Sequence, residues 1–295
     1  MELTIKDLCK TYSSGHRALK SVNLDITNGM FGLLGANGAG KSTLMRILVS
    51  LMEPSSGAIT INGMDLSKHR KEVRTMTGYL PQDFRFFPKL KTWEFLDYSA
   101  QLGGIKGKTQ RREAIDEMLE QVGLYEVRER YANQLSGGMK RRLGIAQALI
   151  GDPKLIIVDE PTTGLDPDER IRFRNLLTKV SNRDVIIILS THIVGDISST
   201  CNQMALLRRG EVVFRGAPED LIKEAEGSVW RIQASLEQFD EVNTNYNVIS
   251  TIPSVGGWDI EVIASDPGKY PAEPIQPNLE HAYVYYMEHF LEQAI

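Results

Sequence analysis

The sequence has little cysteine and no long apolar run. Its 295 residues include two cysteines, Cys9 and Cys201, which lie far apart and form no CxxC pair. They indicate neither a zinc site nor a disulfide framework, and a reducing, cytosolic setting fits them. The longest apolar runs, such as residues 185–189, have the length of a strand, whereas a membrane-spanning helix needs about 20 predominantly apolar residues. We expect no membrane span, and the charged residues among the first ten argue against a secretion signal.

An excess of basic charge is also missing. The formal net charge is −4, and the compact basic cluster that stands out is Lys140, Arg141 and Arg142. Such a cluster on a helix is more typical of a solvated or phosphate-facing edge than of a DNA site. We therefore expect no nucleic-acid partner.

Charge instead divides the chain near residue 226. Residues 1–226 carry a net charge of +4, and residues 227–295 carry a net charge of −8. We place a boundary there, between a main domain (1–226) and a C-terminal accessory domain (227–295). The accessory domain alternates strand-like and helix-like segments, with a helix predicted over residues 236–242, which indicates a small α+β fold. Its role stays open between dimer support, regulation and packing alone.

The main domain combines three sequence patterns. Residues 2–26 alternate apolar and polar side chains, which predicts antiparallel strands with one solvated face. Apolar residues recur at helical spacing over 92–123, so we expect a helical insert at about 84–150. Continuous apolar runs at 155–158 and 185–189, with a helix-like segment at about 167–181 between them, predict a parallel sheet buried on both faces. The fold class is therefore α/β.

A glycine-rich segment follows the strand-like run at residues 30–34. From Gly35 to Ser42 it has the P-loop pattern of glycine, four residues, glycine, lysine and serine. Glycines let the backbone turn several N–H groups toward one phosphate, and the helix that starts at Lys41 adds its dipole. Lys41 supplies a cation for the β- and γ-phosphates, and Ser42 supplies a hydroxyl for Mg²⁺. The segment predicts a P-loop NTPase core.

Two carboxylates end the apolar strand-like run at residues 155–158. A buried parallel strand delivers the residues at its carboxyl end to the ligand crevice of the sheet. Asp159 is then placed to hold Mg²⁺, and Glu160 to orient the attacking water or accept its proton. The alternative is that both residues cap the loop at Pro161. The P-loop pattern earlier in the chain favours the catalytic interpretation.

Residues 133–139, Asn-Gln-Leu-Ser-Gly-Gly-Met, resemble the signature motif of ABC (ATP-binding cassette) ATPases. Further elements similar to those of that family occur in the family's order, over residues 1 to about 222. They are the adenine-stacking aromatic (Tyr12), the Q-loop glutamine (Gln82), the D-loop (residues 164–167) and the switch histidine (His192). Taken singly, Tyr12 also fits an edge-strand aromatic, Gln82 a loop polar group, His192 a buried core histidine and Asp166 a helix N-cap. Their order and spacing favour the functional interpretation.

The resemblance implies that the chain binds ATP and Mg²⁺ and hydrolyses ATP. The implied catalytic residues are Lys41, Gln82, Glu160 and His192. The implied metal ligands are Ser42, Gln82 and Asp159. The implied nucleotide contacts are Tyr12, Gly35, Asn37, Gly38, Ala39, Gly40, Lys41, Ser42, Thr43, Ser136, Gly137, Gly138 and Asp166.

The resemblance also implies partners. Ser136, Gly137 and Gly138 open a helix and form a second anion-binding helix terminus. By the resemblance, two ATP-binding subunits face head to tail, so that Ser136 of one closes on the ATP held by Lys41 of the other. A homodimer is favoured over a heterodimer, and a separate membrane-spanning permease is the second expected partner. The expected location is cytoplasmic, peripheral on the inner face of the cell membrane.

Two features bear on the type of transporter. Met139 stands where the family's most common signature has glutamine, so a glutamine hydrogen bond near the ribose is in doubt. This variant of the signature resembles that of export-type ATPases with separate permeases. The aromatic and basic segment at residues 83–93 predicts a docking surface for the permease, and the alternative is that its aromatics fill the seam between subdomains. The rival function is a soluble ABC ATPase that powers a non-membrane assembly.

Overall fold

The computed structural model describes the backbone of residues 1–292 and the side chains of residues 1–288. Contacts divide the chain into two compact units, Met1–Arg215 and a second that begins at Gly216. The boundary drawn from charge at 226–227 stays a prediction, and the last three residues of the predicted accessory domain lie outside the described range.

The first unit contains both an antiparallel and a largely parallel sheet. Its strands are β1 Glu2–Thr11, β2 Arg17–Thr27, β3 Gly29–Leu34, β4 Ser56–Ile61, β5 Met64–Asp65, β6 Thr77–Leu80, β7 Leu155–Asp159, β8 Ile186–Thr191, β9 Gln203–Arg208 and β10 Glu211–Gly216, which reaches the boundary. Its helices are α1 Lys41–Leu48, α2 Arg70–Thr75, α3 Thr92–Leu102, α4 Lys108–Gln121, α5 Gly137–Leu149, α6 Pro167–Ser181 and α7 Val194–Ser198.

The antiparallel sheet has the order β2-β1-β4-β5, with Leu3 paired to Ile26 and to Ile61. Alternate side chains of β1 and β2 are buried, which confirms the solvated-face pattern predicted for residues 2–26. This sheet shares one apolar core with α1 and the central sheet. Each fully buried leucine or isoleucine in it contributes about 1.5–3 kcal/mol to the free energy of unfolding.

The central sheet has the order β10-β9-β3-β8-β7-β6. The pairs β3–β8, β3–β9, β7–β8 and β6–β7 are parallel, and every residue of β7 and β8 is buried. The predicted two-sided parallel sheet and the α/β fold class are therefore confirmed. Because parallel strands run the same way, β3, β6, β7 and β8 all deliver their last residues to the same edge of the sheet.

A helical group formed by α3, α4 and α5 has its own core, which includes Phe95, Leu119 and Leu143. Phe84 and Phe86 pack against this core, whereas Phe87 is exposed. The helical insert expected at about 84–150 is thus present, and its aromatic segment divides between core packing and the surface.

The second unit is a four-stranded antiparallel sheet with helices. Its elements are α8 Pro218–Glu224, β11 Val229–Ser235, α9 Phe239–Asn245, β12 Asn247–Ser254, β13 Gly257–Ile263, β14 Ala272–Pro274 and α10 Leu279–Glu292, with the strand order β12-β13-β11-β14. The start of α10 is fastened to β13 by the buried His281, whose Nε2 lies 3.2 Å from Glu261 Oε2 while its Nδ1 accepts the Asn278 N–H. That acceptor role fixes the neutral tautomer in which Nε2–H donates to the carboxylate.

Within residues 1–292, none of the helices combines the length and the apolar character that crossing a bilayer requires.

Candidate active site

The candidate site lies at the edge where the parallel strands of the central sheet end. Strand β3 leads into Gly35, β6 into Gln82, β7 into Glu160 and β8 into His192. The register of the strands brings three of these strand ends side by side, because Leu34 pairs with Thr191 and Asp159 pairs with Ser190. Four segments distant in sequence therefore converge at one place.

The glycine-rich loop between β3 and α1 needs glycine for two different reasons. A Cβ on Gly35 would come within 2.3 Å of the Leu207 carbonyl oxygen. Gly40 has a left-handed φ of 111°, and a Cβ on it would come within 2.6 Å of the Ala18 carbonyl oxygen. At Gly38, which also has positive φ, a Cβ would meet nothing within 4 Å. The loop is therefore packed from behind and open in front, as a cradle for an anion requires.

Glu160 holds three of the predicted catalytic residues together. Its Oε1 lies 3.3 Å from Lys41 Nζ, and its Oε2 lies 3.2 Å from both Gln82 Nε2 and His192 Nδ1. Lys41 and Glu160 are both buried, with 4% and 5% of their surface exposed. The carboxylate is thus the centre of a polar cluster assembled from the ends of four elements.

Lys41 has further partners in its own loop. Its Nζ donates to the carbonyl oxygens of Gly35 at 2.7 Å and Ala36 at 3.1 Å. A buried ammonium is costly unless its three donors are used, and here two carbonyls and one carboxylate use them. This cation can exchange the carboxylate for a phosphate without losing its other contacts.

The backbone at Glu160 is held in an unusual conformation. Its φ is 46°, in the left-handed region that non-glycine residues avoid, at a cost on the order of 1 kcal/mol. The Ser190 carbonyl anchors it by accepting the Glu160 N–H at 3.0 Å, and the Ser190 hydroxyl donates to the buried Asp159. Asp159 and Glu160 consequently leave the strand in fixed and different directions.

Three more of the predicted contacts lie on α1 or just after β1. The Tyr12 hydroxyl is 3.0 Å from the Thr43 hydroxyl, and the Tyr12 ring stacks on His16 with an interplanar angle of 12°. Ser42 is the second residue of α1. A hydroxyl at Ser42, an amide oxygen at Gln82 and a carboxylate at Asp159 are the hard oxygen ligands that suit Mg²⁺, so the residues present fit the ion.

Comparison with known proteins identifies the family. A sequence profile described as ABC transporter matches residues 19–163. An uncharacterized ABC transporter ATP-binding protein of Bacillus subtilis, YxlF, is 36% identical over 231 residues, which cover 78% of this chain and 76% of that protein. The chain belongs to the ABC transporter ATP-binding family. It is an ATPase of that family, with the ABC form of the P-loop NTPase fold.

Relatives within the ABC family are named for both directions of transport. LptB of Haemophilus influenzae, named for lipopolysaccharide export, is 33% identical, with 76% of this chain and 94% of LptB covered. MetN of Helicobacter pylori, named for methionine import, is 34% identical, with 78% and 72% covered. A solved dimer of the ATP-binding cassette MJ0796, titled as a post-hydrolysis state with ADP and Pi, has a TM-score of 0.67 at 28% identity and covers 73% of this chain and 98% of that one.

The ABC signature residues cap helix α5. The Ser136 hydroxyl accepts the Met139 N–H at 3.2 Å, and Gly137 and Gly138 form the first turn. Among the described residues, no hydrogen bond or ion pair joins residues 136–138 to the loop at residues 35–43. Within the described part of one chain, the N-terminus of α5 and the P-loop are thus unconnected.

Asp166 occupies the N-cap of α6, where its carboxylate accepts the Glu169 N–H at 2.8 Å ahead of Pro167. Glu169 also lies 3.3 Å from Arg142 of α5. The helix-cap interpretation of Asp166 is therefore correct as geometry, and its nucleotide contact stays a prediction.

Two features of the site were not found from the sequence. Arg141 of the basic cluster is half-buried and donates to the backbone carbonyl oxygens of Gln82 and Glu160, so it is not a solvated edge. The buried Asp196 accepts hydrogen bonds from Thr162, which follows Glu160, and from Thr191, which precedes His192. No sequence pattern around Asp196, which lies four residues after His192, indicates that it accepts these two hydrogen bonds.

Proposed function

We propose that the chain is the ATP-hydrolysing subunit of a membrane ABC transporter, and that it dimerises around ATP and drives a separate permease. The observation that carries the proposal is the polar cluster at Glu160, which lies beside a groove with exposed apolar side chains. The polar cluster supplies the groups for hydrolysis, and the groove supplies a surface for a partner.

Hydrolysis needs a positioned water and neutralised phosphate oxygens. When ATP enters the loop, the Lys41 ammonium leaves Glu160 and pairs with the β- and γ-phosphates. Glu160 is then free to orient the attacking water, and Gln82 and His192 hold its carboxylate in place from the other side. Bound Mg²⁺, held by Ser42, Gln82 and Asp159, would supply further neutralisation of the phosphate charge.

The dimer completes the site. Helix α5 begins with Gly137 and Gly138 after its N-cap, Ser136. Among the residues described, no hydrogen bond or ion pair joins this terminus to the chain's own P-loop. Such a terminus favours an anion. We infer that Ser136, Gly137 and Gly138 of one copy close on the ATP held by Lys41 of a second copy. The MJ0796 cassette that the fold resembles is also a dimer.

The docking groove lies next to Gln82 and has a volume of about 630 Å³. Large apolar side chains with 47–67% exposure line it at Leu51, Phe87, Tyr98 and Leu102. Arginines line it at Arg46, Arg74 and Arg85. A patch of this kind marks an interaction site, and we assign it to an amphipathic, acidic segment of the permease. We propose with this assignment that the chain works in the cytoplasm, at the inner face of the membrane.

Export is the direction we favour, because Met139 in the signature resembles the export-type variant. A soluble ABC ATPase that powers a non-membrane assembly is the alternative function. The alternative assigns no partner to the groove beside Gln82.

Membrane fractionation tests the proposal. The full chain is co-expressed with each candidate permease in turn, and Phe87→Asp is compared with Leu236→Asp, which adds the same charge at another exposed apolar residue. We expect Phe87→Asp to move the chain from the membrane to the soluble fraction and to preserve the ATPase rate of the purified chain. Leu236→Asp should remain with the membrane. A wild-type chain that stays soluble with every candidate permease contradicts transport and supports the alternative.

A further inference from the structure

One guanidinium connects the signature helix to both sides of the catalytic cluster. Arg141 lies on α5 and donates to the carbonyl oxygens of Glu160 at 2.7 Å and Pro161 at 2.8 Å. It also donates to the carbonyl oxygen of Gln82 at 3.1 Å, with Pro81 and Asp159 each at 3.5 Å. The Arg141 side chain therefore hydrogen-bonds to both the segment after β6 and the segment after β7.

Arg141 makes these contacts without a carboxylate partner. No ion pair of Arg141 within 4.0 Å occurs among the described residues, whereas its neighbour Arg142 pairs with Glu169. Burial lowers the pKa of the Arg141 guanidinium, and Asp159 opposes that shift. A half-buried cation whose hydrogen bonds go to peptide carbonyls alone gains little from charge pairing, so we assign its contribution to holding those carbonyls in position.

The position of Arg141 on α5 links these contacts to the N-terminus of the same helix. It lies five residues after Ser136, the N-cap that we assign to the ATP of the partner subunit. The carbonyls that it binds belong to Gln82 and Glu160 of its own chain. A shift of α5 toward the partner's nucleotide consequently moves the backbone of its own catalytic residues.

We propose that Arg141 is a positioning residue that couples the two ATP sites of the dimer. Closure of α5 on the partner's ATP aligns Gln82 and Glu160 in the same chain, so hydrolysis at one site requires nucleotide at the other. This inference rests on the proposed head-to-tail dimer.

Arginine suits this role better than lysine. Its planar group has five donors in a fixed fork and can bind two separate segments at once, whereas the lysine ammonium presents three donors from one nitrogen. Arg141→Lys keeps the charge and removes the fork. The matched control is Arg111→Lys, because Arg111 binds Asp97 and two backbone carbonyls of the helical group, away from the site.

Steady-state hydrolysis by the full chain is the first measurement. For the wild type and Arg111→Lys we expect a Hill coefficient for ATP approaching about 2, the number of sites. For Arg141→Lys we expect a coefficient of about 1 and a kcat lower by on the order of 10-fold or more, because small misplacements of catalytic groups have large effects. ATP affinity should change less than about twofold. A non-cooperative wild type, or an Arg141→Lys coefficient equal to that of the wild type, overturns the proposal.

Mixed dimers separate positioning from a general structural effect. One differently tagged chain carries Glu160→Gln, so the other chain alone hydrolyses ATP. Arg141→Lys in the hydrolysing chain should reduce the rate by on the order of 10-fold, and in the hydrolysis-dead chain it should leave the rate near that of the unmodified mixed dimer. Equal losses in both arrangements contradict the proposal. Arg141→Gln serves if the lysine variant does not fold.

Sedimentation distinguishes failure of this inference from failure of the proposed dimer. Glu160→Gln and Arg141→Lys/Glu160→Gln should both form dimers with ATP. If neither dimerises, the head-to-tail arrangement is wrong. If both dimerise and cooperativity is unchanged in Arg141→Lys, the coupling role of Arg141 alone is wrong.

Discussion

Replacing Glu160 by glutamine should have opposite effects on turnover and on ATP affinity. Glu160 lies 3.3 Å from Lys41, and both side chains are buried. ATP must displace this carboxylate to reach the lysine. The substitution keeps the shape of the side chain, removes the competing charge and removes the carboxylate that we propose orients the attacking water.

The size of the affinity change follows from the ion pair. Two unit charges at 3.3 Å attract each other by about 5 kcal/mol at an effective dielectric constant of about 20. Most of this is offset, because Lys41 keeps its carbonyl partners at Gly35 and Ala36 and a phosphate replaces the carboxylate. A net gain of about 1.4 kcal/mol makes the ATP Kd about tenfold lower. Loss of the water-orienting group should lower kcat by about 10²–10⁴-fold.

Titration calorimetry with ATP and a phosphate-release assay measure the two effects on the same protein. The control is Glu211→Gln, which removes an equal charge from a surface pair with Lys20. It should leave both Kd and kcat unchanged. An ATP Kd equal to or higher than that of the wild type refutes competition for Lys41, and wild-type phosphate release refutes the role of Glu160.

Three other changes test separate parts of the structure. Lys41→Ala should raise the ATP Kd by about 100-fold, because about 3 kcal/mol of charge-assisted bonding is lost, and wild-type affinity in calorimetry contradicts the cradle. Asp196→Ala leaves two buried hydroxyls without their acceptor and should lower the free energy of unfolding in urea by about 2–3 kcal/mol; a change below about 0.5 kcal/mol contradicts this. Burial raises the pKa of the Cys201 thiol from 9.0 to about 12, so the thiol stays protonated in the folded chain. Its contribution to stability is therefore complete below about pH 9 and falls by up to about 1.4 kcal/mol per pH unit above it. Cys201→Ala should flatten the alkaline loss of stability in urea titrations, and an unchanged slope contradicts the assignment.

Local chemistry explains why much of the fold could be predicted. Helix α6 spans the predicted residues 167–181, because Asp166 caps it and Pro167 suits its first position. The continuous apolar run before Asp159 is strand β7, buried on both faces. These segments carry their own start, stop and burial signals.

Elements that depend on tertiary contacts were predicted less well. Strand β14 is three residues long, ends at Pro274 and is defined by pairing with β11, so no local pattern marks it. The helix expected from residue 236 begins at Phe239, because residues 235–238 form a turn that leaves Leu236 exposed.

The candidate site shows the same division. The P-loop pattern predicted the glycine-rich turn between β3 and α1, since loop and helix terminus are adjacent in sequence. The contact between Lys41 and Glu160 joins residues that follow different strands and requires the sheet order. Arg141 was even less accessible, because its partners are backbone carbonyls, which every residue has.

Sedimentation velocity of the Glu160→Gln chain tests the central claim most directly, since we expect this variant to retain its bound ATP. The proposed arrangement predicts a dimer with ATP and Mg²⁺, and a monomer with ADP or without nucleotide. A monomer under all three conditions contradicts it.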